Sequence, residues 1–386
     1  MKQQIGIAGA GSMGSGIAQV AATNGCKVTL FDSSADALSK AQILIRSSLD
    51  KLVEKGKIDK TKADDTFKQI KFSDELTELK QADLFIEAVI ENIDVKQSLF
   101  SSVENIVSNE CILATNTSSL PVIAIGSSCR KQDRVIGLHF FNPPVLMQLV
   151  EVIPTFNTTD KVITDAVETM RQWGKLPVIA KDTPGFIVNR IARPYYGEAL
   201  RIYEEGIADF ATIDHAMRTI GGFKMGPFEL MDFIGNDVNF KVTETVFTQM
   251  FFDQRYKPSI TQKRLFEGKL FGRKSNRGYY DYKNSNQPQP SLDSNLHNQI
   301  FDRIFAMLVN EAADTLMMGI ATASDIETAM TKGVNYPQGL LTWANKRGLR
   351  TVYNKLEELF TYYGEDRYRV CPHLRKLALN DDMFRI

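Results

Sequence analysis

The sequence lacks three things: an apolar run of about 18 residues, closely paired cysteines, and an excess of charge of either sign. Cys26, Cys111, Cys129 and Cys371 are scattered without a C-x-x-C pair, which predicts reduced thiols and no metal site. Lys and Arg balance Asp and Glu at 46 each, and no basic stripe alternates with aromatic residues. Neither nucleic acid nor a membrane is therefore expected as a partner. The first strand begins almost at Met1, so we expect no signal peptide and a cytoplasmic protein.

The most informative stretch that is present lies at the start of the chain. An apolar strand, residues 4–8, runs into the glycine motif Gly9-Ala10-Gly11-Ser12-Met13-Gly14 and then into an apolar helix. The first glycine permits a tight turn, the second lets the backbone approach a pyrophosphate, and the third lets helix and strand pack closely. The helix beginning near Ser12 directs free N–H groups at the phosphates. This stretch predicts a dinucleotide-binding site.

The end of the second strand indicates which dinucleotide is bound. Residues 27–31 form that strand, and Asp32 follows it at eighteen residues past Gly14. An acidic residue near this distance binds the adenosine ribose hydroxyls. Ser33 and Ser34 come next, and no arginine is there to accept a 2′-phosphate. The sequence therefore predicts NAD as the cofactor in preference to NADP.

The chain of 386 residues predicts two or three domains, beginning with an α/β one. After a long polar helix from 35 to 55 and a second helix ending near 71, strand and helix signals alternate, as in a Rossmann-type doubly wound parallel sheet. The strands are expected at 84–89, 111–115, 135–140, 149–153 and 177–180. Helices dominate from Thr183 onward, which places the end of the NAD-binding domain, residues 1–183, near Asp182-Thr183-Pro184-Gly185.

The helical region contains an internal repeat. The pattern Glu198-Ala199, Gly206-Ile207-Ala208 and Ile213 to Met217 returns as Glu311-Ala312, Gly319-Ile320-Ala321 and Ile326 to Met330, at a constant offset of 113. Residues 284–291, rich in Asn, Gln, Pro and Ser, have the composition of a linker. We therefore predict an all-α region of two repeated units, residues 184–283 and 292–386.

Ligands of open α/β sheets bind at the carboxyl ends of the strands, and three of these ends carry polar residues. They are Glu91, the run Asn116-Thr117-Ser118-Ser119, and the run His139-Phe140-Phe141-Asn142. Glu151 lies twelve residues past His139 in the next strand. An imidazole can abstract a hydroxyl proton while a carboxylate fixes its tautomer. Beside a nicotinamide, that pair would suit alcohol oxidation.

Together these motifs resemble those of the NAD-dependent (S)-3-hydroxyacyl-CoA dehydrogenases, over essentially the whole chain. Gly137-Leu138-His139-Phe140-Phe141-Asn142-Pro143 and Asp182-Thr183-Pro184-Gly185-Phe186-Ile187-Val188-Asn189-Arg190 carry most of the likeness. The resemblance makes His139 the general base, Glu151 its orienting carboxylate, and Ser118 and Asn189 hydrogen-bonding partners of the substrate oxygen. It places Glu91, Lys96 and Asn116 at the nicotinamide end of the cofactor, and Ser48 and Lys55 beside the CoA moiety. Asn276 stands where the family has glycine.

The sequence leaves several alternatives open. Lys55 lies on a charged helix and could be solvated instead of bound to a CoA phosphate. A dehydrogenase of a free hydroxy acid or sugar acid would use the same histidine and asparagine, and a non-catalytic NAD-binding protein would need neither. Relatives with one helical unit pair through it, so the second unit could replace the partner. We expect a monomeric pseudo-dimer or a small homo-oligomer with an acyl-CoA substrate.

Overall fold

The computed structural model describes residues 3–284 and 287–386, which divide into two compact units with the boundary in the chain between Thr183 and Pro184. The linker that the sequence predicts at 284–291 includes Ser285 and Asn286, which lie outside the described residues. No helix of the described residues is long and apolar enough to cross a membrane.

The first unit is built on one eight-stranded sheet in the order β3-β2-β1-β4-β5-β6-β7-β8. Its strands are β1 (Gln4–Ala8), β2 (Lys27–Phe31), β3 (Ile70–Ser73), β4 (Leu84–Glu87), β5 (Ile112–Thr115), β6 (Val135–Phe140), β7 (Leu149–Pro154) and β8 (Leu176–Ile179). All neighbouring strands are parallel except β6 and β7. No helix separates these two strands, and so short a connection suits an antiparallel pair. The predicted Rossmann-type sheet is confirmed, with this one reversal.

Helices pack against the sheet and bury its apolar strands. They are α1 (Ser12–Thr23), α2 (Ala35–Glu54), α3 (Lys60–Lys68), α4 (Ile93–Glu104), α5 (Val122–Gly126) and α6 (Asp160–Gln172). The helix pair α2 and α3 was expected, whereas β3 directly after it was not, because four residues carry too little alternation to indicate a strand. Ile7, Leu30, Ile86 and Ala114 have essentially no exposed surface, as expected for central parallel strands.

The described residues of the second unit form helices joined by turns and loops, with two isolated bridges. Its first part comprises α7 (Val188–Ile191), α8 (Arg193–Glu204), α9 (Phe210–Thr219), α10 (Pro227–Ile234), α11 (Asn236–Gln249) and α12 (Ile260–Glu267). Its second part comprises α13 (Ser294–Met317), α14 (Ala323–Gly333), α15 (Leu340–Arg347), α16 (Leu349–Tyr363) and α17 (Pro372–Leu379). Both parts are helical, as predicted for the all-α region.

The two copies differ at their first helix. In the first copy the chain is broken into α7 and α8, and Pro194 lies in the first turn of α8. Proline has no N–H for the preceding turn, so a helix tolerates it only near its start. The 113 offset replaces Pro194 by Met307, and the second copy accordingly forms one continuous helix of 24 residues.

Two matching ion-pair clusters hold the copies together. Arg190 of the first copy donates from Nε to Oε1 of Glu311 at 2.7 Å, and Arg303 of the second copy donates from Nε to Oε1 of Glu198 at 2.6 Å. Positions 303 and 311 are the offset equivalents of 190 and 198. The arginine therefore comes from the first copy in one contact and from the second copy in the other, and the glutamate comes from the opposite copy each time. This reciprocity is the signature of an isologous, two-fold interface, formed here within one chain.

A pair of tyrosines extends the reciprocity. The hydroxyl of Tyr256 donates to Glu311, and the hydroxyl of Tyr368 donates to Glu198 at 2.7 Å. They belong to the matching stretches 253–256, Asp-Gln-Arg-Tyr, and 365–368, Glu-Asp-Arg-Tyr, now at an offset of 112. All four side chains that form these two bonds are almost completely buried. The two halves of the interface are therefore built alike.

The turn at Asn276 keeps the left-handed conformation that glycine would favour there. Its φ is 59° and ψ is 11°. Asparagine tolerates this region better than most side chains, so the substitution leaves the turn intact.

Candidate active site

The glycine motif forms a tight turn between β1 and α1. Gly9 has φ of +103°, and a Cβ there would lie 2.4 Å from the carbonyl oxygen of Ala88. A Cβ at Gly14 would collide with the carbonyl oxygen of Gly9, whereas one at Gly11 would project into open space. The turn therefore lies against the backbone that follows β4 at the first glycine, and helix α1 lies against the turn at the third. The backbone stays accessible at the second glycine. That is the cradle a pyrophosphate requires.

An open groove of about 560 Å³ follows this turn along α2, and we call it the glycine-turn groove. Ala10, Gly11 and exposed Ser12 line one side, and Ala37 and Lys40 line the other. Met13 is directed instead toward the core of the unit. Asp32 lies beside the turn, where its carboxylate accepts hydrogen bonds from the backbone N–H of Ala10 and of Ser34. The turn, the groove and the carboxylate fit NAD.

His139 and Glu151 meet across the only antiparallel strand pair of the described sheet. They are register partners on β6 and β7, and His139 Nδ1 lies 2.6 Å from Oε2 of Glu151. Glu151 has no exposed surface and His139 is 6% exposed. A carboxylate only accepts, so Nδ1 carries a proton, and in the neutral imidazole the lone pair is then on Nε2. The reversal of β7 is what brings a residue twelve positions away directly opposite the histidine.

A network around Glu91 organises the turn after β5. Oε1 of Glu91 accepts from the hydroxyl of Thr117 at 2.6 Å and from the backbone N–H of Ser118 at 2.9 Å, with further bonds from Ser119. The Ser118 hydroxyl also lies 3.4 Å from this oxygen. Burial opposes ionisation, but Lys96 and these donors outweigh it and lower the pKa of Glu91. Glu91 therefore fixes the loop that carries Ser118.

Lys96 lies behind Glu91 and is only 1% exposed. Its Nζ contacts Oε1 of Glu87 at 2.6 Å and Oε2 of Glu91 at 3.1 Å. Glu87 is completely buried and accepts from the hydroxyl of Thr115 at 2.7 Å. Sequence reasoning missed Glu87, although a charge inside the apolar run 84–89 was a signal that a buried partner existed. Lys96 therefore supports Glu91 from within the protein.

Asn116 joins two strand ends. Its side-chain oxygen accepts from the backbone N–H of Phe140 at 2.8 Å, and its own N–H donates to the carbonyl of Glu87. The Phe141 ring lies 4.5 Å from the imidazole of His139, measured between ring centroids. The first unit therefore brings Glu91, Asn116 and His139 to the same carboxyl edge of the sheet.

A second cavity of about 360 Å³ lies between α1, α2 and the loop after β6, and we call it the α1–α2 cavity. Half-buried Ser48 lines it from α2 and exposed Lys55 lines it from the position directly after this helix, and the loop contributes residues 142–146. Both residues predicted to lie beside the CoA moiety thus line one cavity. The opposite wall of this cavity begins three residues after His139 in the sequence.

Asn189 belongs to the second unit, on the four-residue helix α7. Its backbone carbonyl accepts from Nε of Arg193 at 2.9 Å, and Arg193 in turn donates to the hydroxyl of Thr243 at 3.0 Å. The preceding Phe186 has φ of 47°, an uncommon conformation for a residue other than glycine. Its neighbour Arg190 is the interface residue paired with Glu311.

Comparison with known families agrees with this geometry. The NAD binding domain of 3-hydroxyacyl-CoA dehydrogenase matches residues 4–183, and the C-terminal domain of the same family matches 185–282 and again 300–385. The chain belongs to the 3-hydroxyacyl-CoA dehydrogenase family. As a member of this family it is an NAD-dependent dehydrogenase. The two C-terminal matches coincide with the two helical copies.

Individual relatives of this dehydrogenase fall into long and short forms. The chain is 35% identical to 3-hydroxyadipyl-CoA dehydrogenase of Escherichia coli K12, over 98% of both chains. The crystal structure of 3-hydroxybutyryl-CoA dehydrogenase from E. coli K12 superposes with a TM-score of 0.92 at 34% identity, covering 98% and 99% of the two chains. Human mitochondrial hydroxyacyl-coenzyme A dehydrogenase is 40% identical over 73% of this chain and 91% of its own length.

Proposed function

We propose that the protein interconverts an (S)-3-hydroxyacyl-CoA and the corresponding 3-oxoacyl-CoA, with His139 as general base. The observation that carries the proposal is the buried 2.6 Å contact between His139 and Glu151, at the carboxyl edge of the sheet that also carries the glycine turn. Nε2 of His139 takes the substrate hydroxyl proton, and the carboxylate of Glu151 stabilises the imidazolium that forms. When bound, NAD supplies the hydride acceptor.

The remaining site residues receive roles consistent with their surroundings. Ser118, held by Glu91, and Asn189 would donate hydrogen bonds to the substrate oxygen. Glu91 and Asn116 would border the nicotinamide, with Lys96 acting through Glu91 because its ammonium is buried.

We assign the CoA moiety to the α1–α2 cavity. Both Ser48 and Lys55 line it. Lys55 is exposed and its ammonium can bind a phosphate as a point charge.

The test is NADH oxidation with acetoacetyl-CoA against free acetoacetate. Turnover should require the CoA thioester, and equal turnover of free acetoacetate would favour the dehydrogenase of free hydroxy acids instead. His139→Gln should lower kcat by about 10²- to 10⁴-fold and leave NADH binding unchanged. His373→Gln, a change of the same type in the second copy, is the control. Turnover like that of the unaltered protein in His139→Gln would refute the mechanism, and no turnover of either substrate would favour the NAD-binding protein.

We also propose that residues 184–283 and 292–386 are two domains, of which the second takes the place of a partner subunit. The reciprocal pairs Arg190–Glu311 and Arg303–Glu198 support this arrangement, since a two-fold dimer would contain one such pair per subunit. The protein would then be a monomer in solution.

A further inference from the structure

The loop that forms one wall of the α1–α2 cavity is held by a buried lysine. We call residues 143–147 the cavity loop. Nζ of Lys175, directly before β8, donates to the backbone carbonyls of Pro144 at 2.5 Å and Met147 at 2.8 Å. Lys175 is only 8% exposed. Two carbonyls of one short loop thus converge on a single ammonium.

Burying the ammonium of Lys175 at this position is energetically unfavourable. Its burial lowers the pKa to about 8, and no charged side chain of the described residues contributes an opposing effect. An apolar side chain of similar length would fill the same space without the desolvation penalty. What the ammonium adds is a pair of directed, charge-assisted hydrogen bonds, which are stronger than neutral ones.

The cavity loop has little freedom on its other side. Pro144 is buried against α1, where a Cβ at Gly16 would lie 2.8 Å from Cδ of the proline ring. The backbone N–H groups of Leu146 and Met147 both donate to the carbonyl of Pro143 at 3.0 Å. Lys175 therefore closes a compact turn whose other face lines the cavity with Ser48 and Lys55.

We propose that Lys175 is a positioning residue for the CoA portion of the substrate, acting through the cavity loop. The inference rests on the proposed function, because it needs acyl-CoA in the α1–α2 cavity. Lys175 does not contact the reacting atoms. Its loss should weaken binding of the CoA chain and leave the chemistry at His139 unchanged.

Lys175→Met tests this by comparing two substrates in the same variant. Acetoacetyl-CoA fills the cavity, whereas the N-acetylcysteamine thioester of acetoacetate lacks the nucleotide and most of the pantetheine. Loss of two charge-assisted bonds should raise KM for acetoacetyl-CoA by about tenfold, with kcat and the affinity for NADH little changed. The value of kcat/KM for the short thioester should stay within about twofold. Any unfolded fraction cancels in this ratio.

Two further variants complete the experiment. Arg134 is also a buried cation that donates to two backbone carbonyls, those of Ser108 and Cys111, but it precedes β6, at the opposite end of that strand. Arg134→Met should therefore leave the ratio between the two thioesters unchanged. Lys175→Arg keeps the charge and the donors, and it should restore KM at least in part.

The outcomes separate this inference from the proposed function. If Lys175→Met lowers kcat/KM equally for both thioesters, or if Arg134→Met raises KM for acetoacetyl-CoA as much, the positioning role is wrong and the dehydrogenase proposal stands. If the unaltered protein reduces neither thioester, the proposed function itself fails and this inference fails with it.

Discussion

The reciprocal ion pairs make a quantitative prediction about the second unit. Glu311→Gln keeps the size of the side chain and one acceptor oxygen, but removes the negative charge between Arg190 and Arg255. Glu311 is 2% exposed, and removing one partner of a buried pair costs about 3–5 kcal/mol. Asp314 remains paired with both arginines, at 2.6 and 3.3 Å, so we expect the lower end, about 3 kcal/mol.

The reciprocal variant should behave in the same way. Glu198→Gln leaves Arg303 with Glu205 at 3.0 Å, just as Glu311→Gln leaves Arg190 with Asp314. We therefore expect the two losses in the free energy of unfolding to agree within about 1 kcal/mol. Glu267→Gln removes an exposed ion pair with Arg264 and should cost less than about 0.5 kcal/mol.

Tryptophan fluorescence during urea unfolding can isolate this unit. The chain has two tryptophans, Trp173 in the first unit and Trp343 in the second. In a Trp173→Phe background the signal comes from Trp343 alone, which packs against Phe223 of the first copy and Phe305 of the second. If either variant lost less than about 1 kcal/mol in the free energy of unfolding, or if the two losses clearly differed, the interface would not consist of two equivalent halves.

Three other predictions follow from the site and the interface. Glu151→Gln should slow turnover by about 10- to 100-fold, because an amide stabilises an imidazolium poorly. Steady-state kinetics on a variant that still binds NADH would measure this loss. An unchanged kcat would mean that the pair has no catalytic role. Asp32→Ala should reduce the preference for NAD over NADP, measured as the ratio of kcat/KM values. A preference for NADP in the unaltered protein would contradict the role that we give to Asp32. Light scattering should find a monomer for the full chain and a dimer or aggregate for the chain truncated at Asp281. The pseudo-dimer would be refuted if the full chain were a tetramer and the truncated chain a stable, active monomer.

The pH dependence of stability gives a separate check on Lys175. Its folded pKa of about 8 lies below the ordinary value of 10.5, so between these values the unfolded chain binds more protons than the folded one. The penalty for burying the ammonium is therefore fully present below about pH 8 and is relieved as the pH rises toward 10.5. The unfolding free energy of the unaltered protein, measured relative to Lys175→Met, should rise across this window. A flat difference would mean that Lys175 is not desolvated.

The sequence predicted best where one local rule decides the geometry. The glycine turn, Asp32 at the end of β2 and the strand bearing His139 follow from spacing and from the rule that ligands bind at carboxyl strand ends. It predicted less where pairing is non-local. The reversal of β7 depends on a connection without a helix, and the burial of Lys96 depends on Glu87, which only the folded sheet brings near.

Lys175 illustrates a site residue that no motif could indicate. Its two acceptors are backbone carbonyls about thirty residues earlier in the chain, and any sequence provides carbonyls. The repeat offset does relate the interface residues to one another, since it maps Arg190 onto Arg303 and Glu198 onto Glu311. The offset could not predict that each arginine pairs with the glutamate of the other copy, because it is equally compatible with pairing inside each copy, between Arg190 and Glu198 and between Arg303 and Glu311.

Comparison of the two helical copies indicates the role of the second copy. It retains the interface set, Arg303, Glu311 and Tyr368, with each bond reciprocated. It does not retain the broken helix that carries Asn189 in the first copy: Asp302 takes that position inside continuous α13 and pairs with Arg347 at 2.6 Å. The copy has kept the residues that pack against its partner and replaced the one we propose to contact substrate. This pattern fits a unit whose task is to support the catalytic copy.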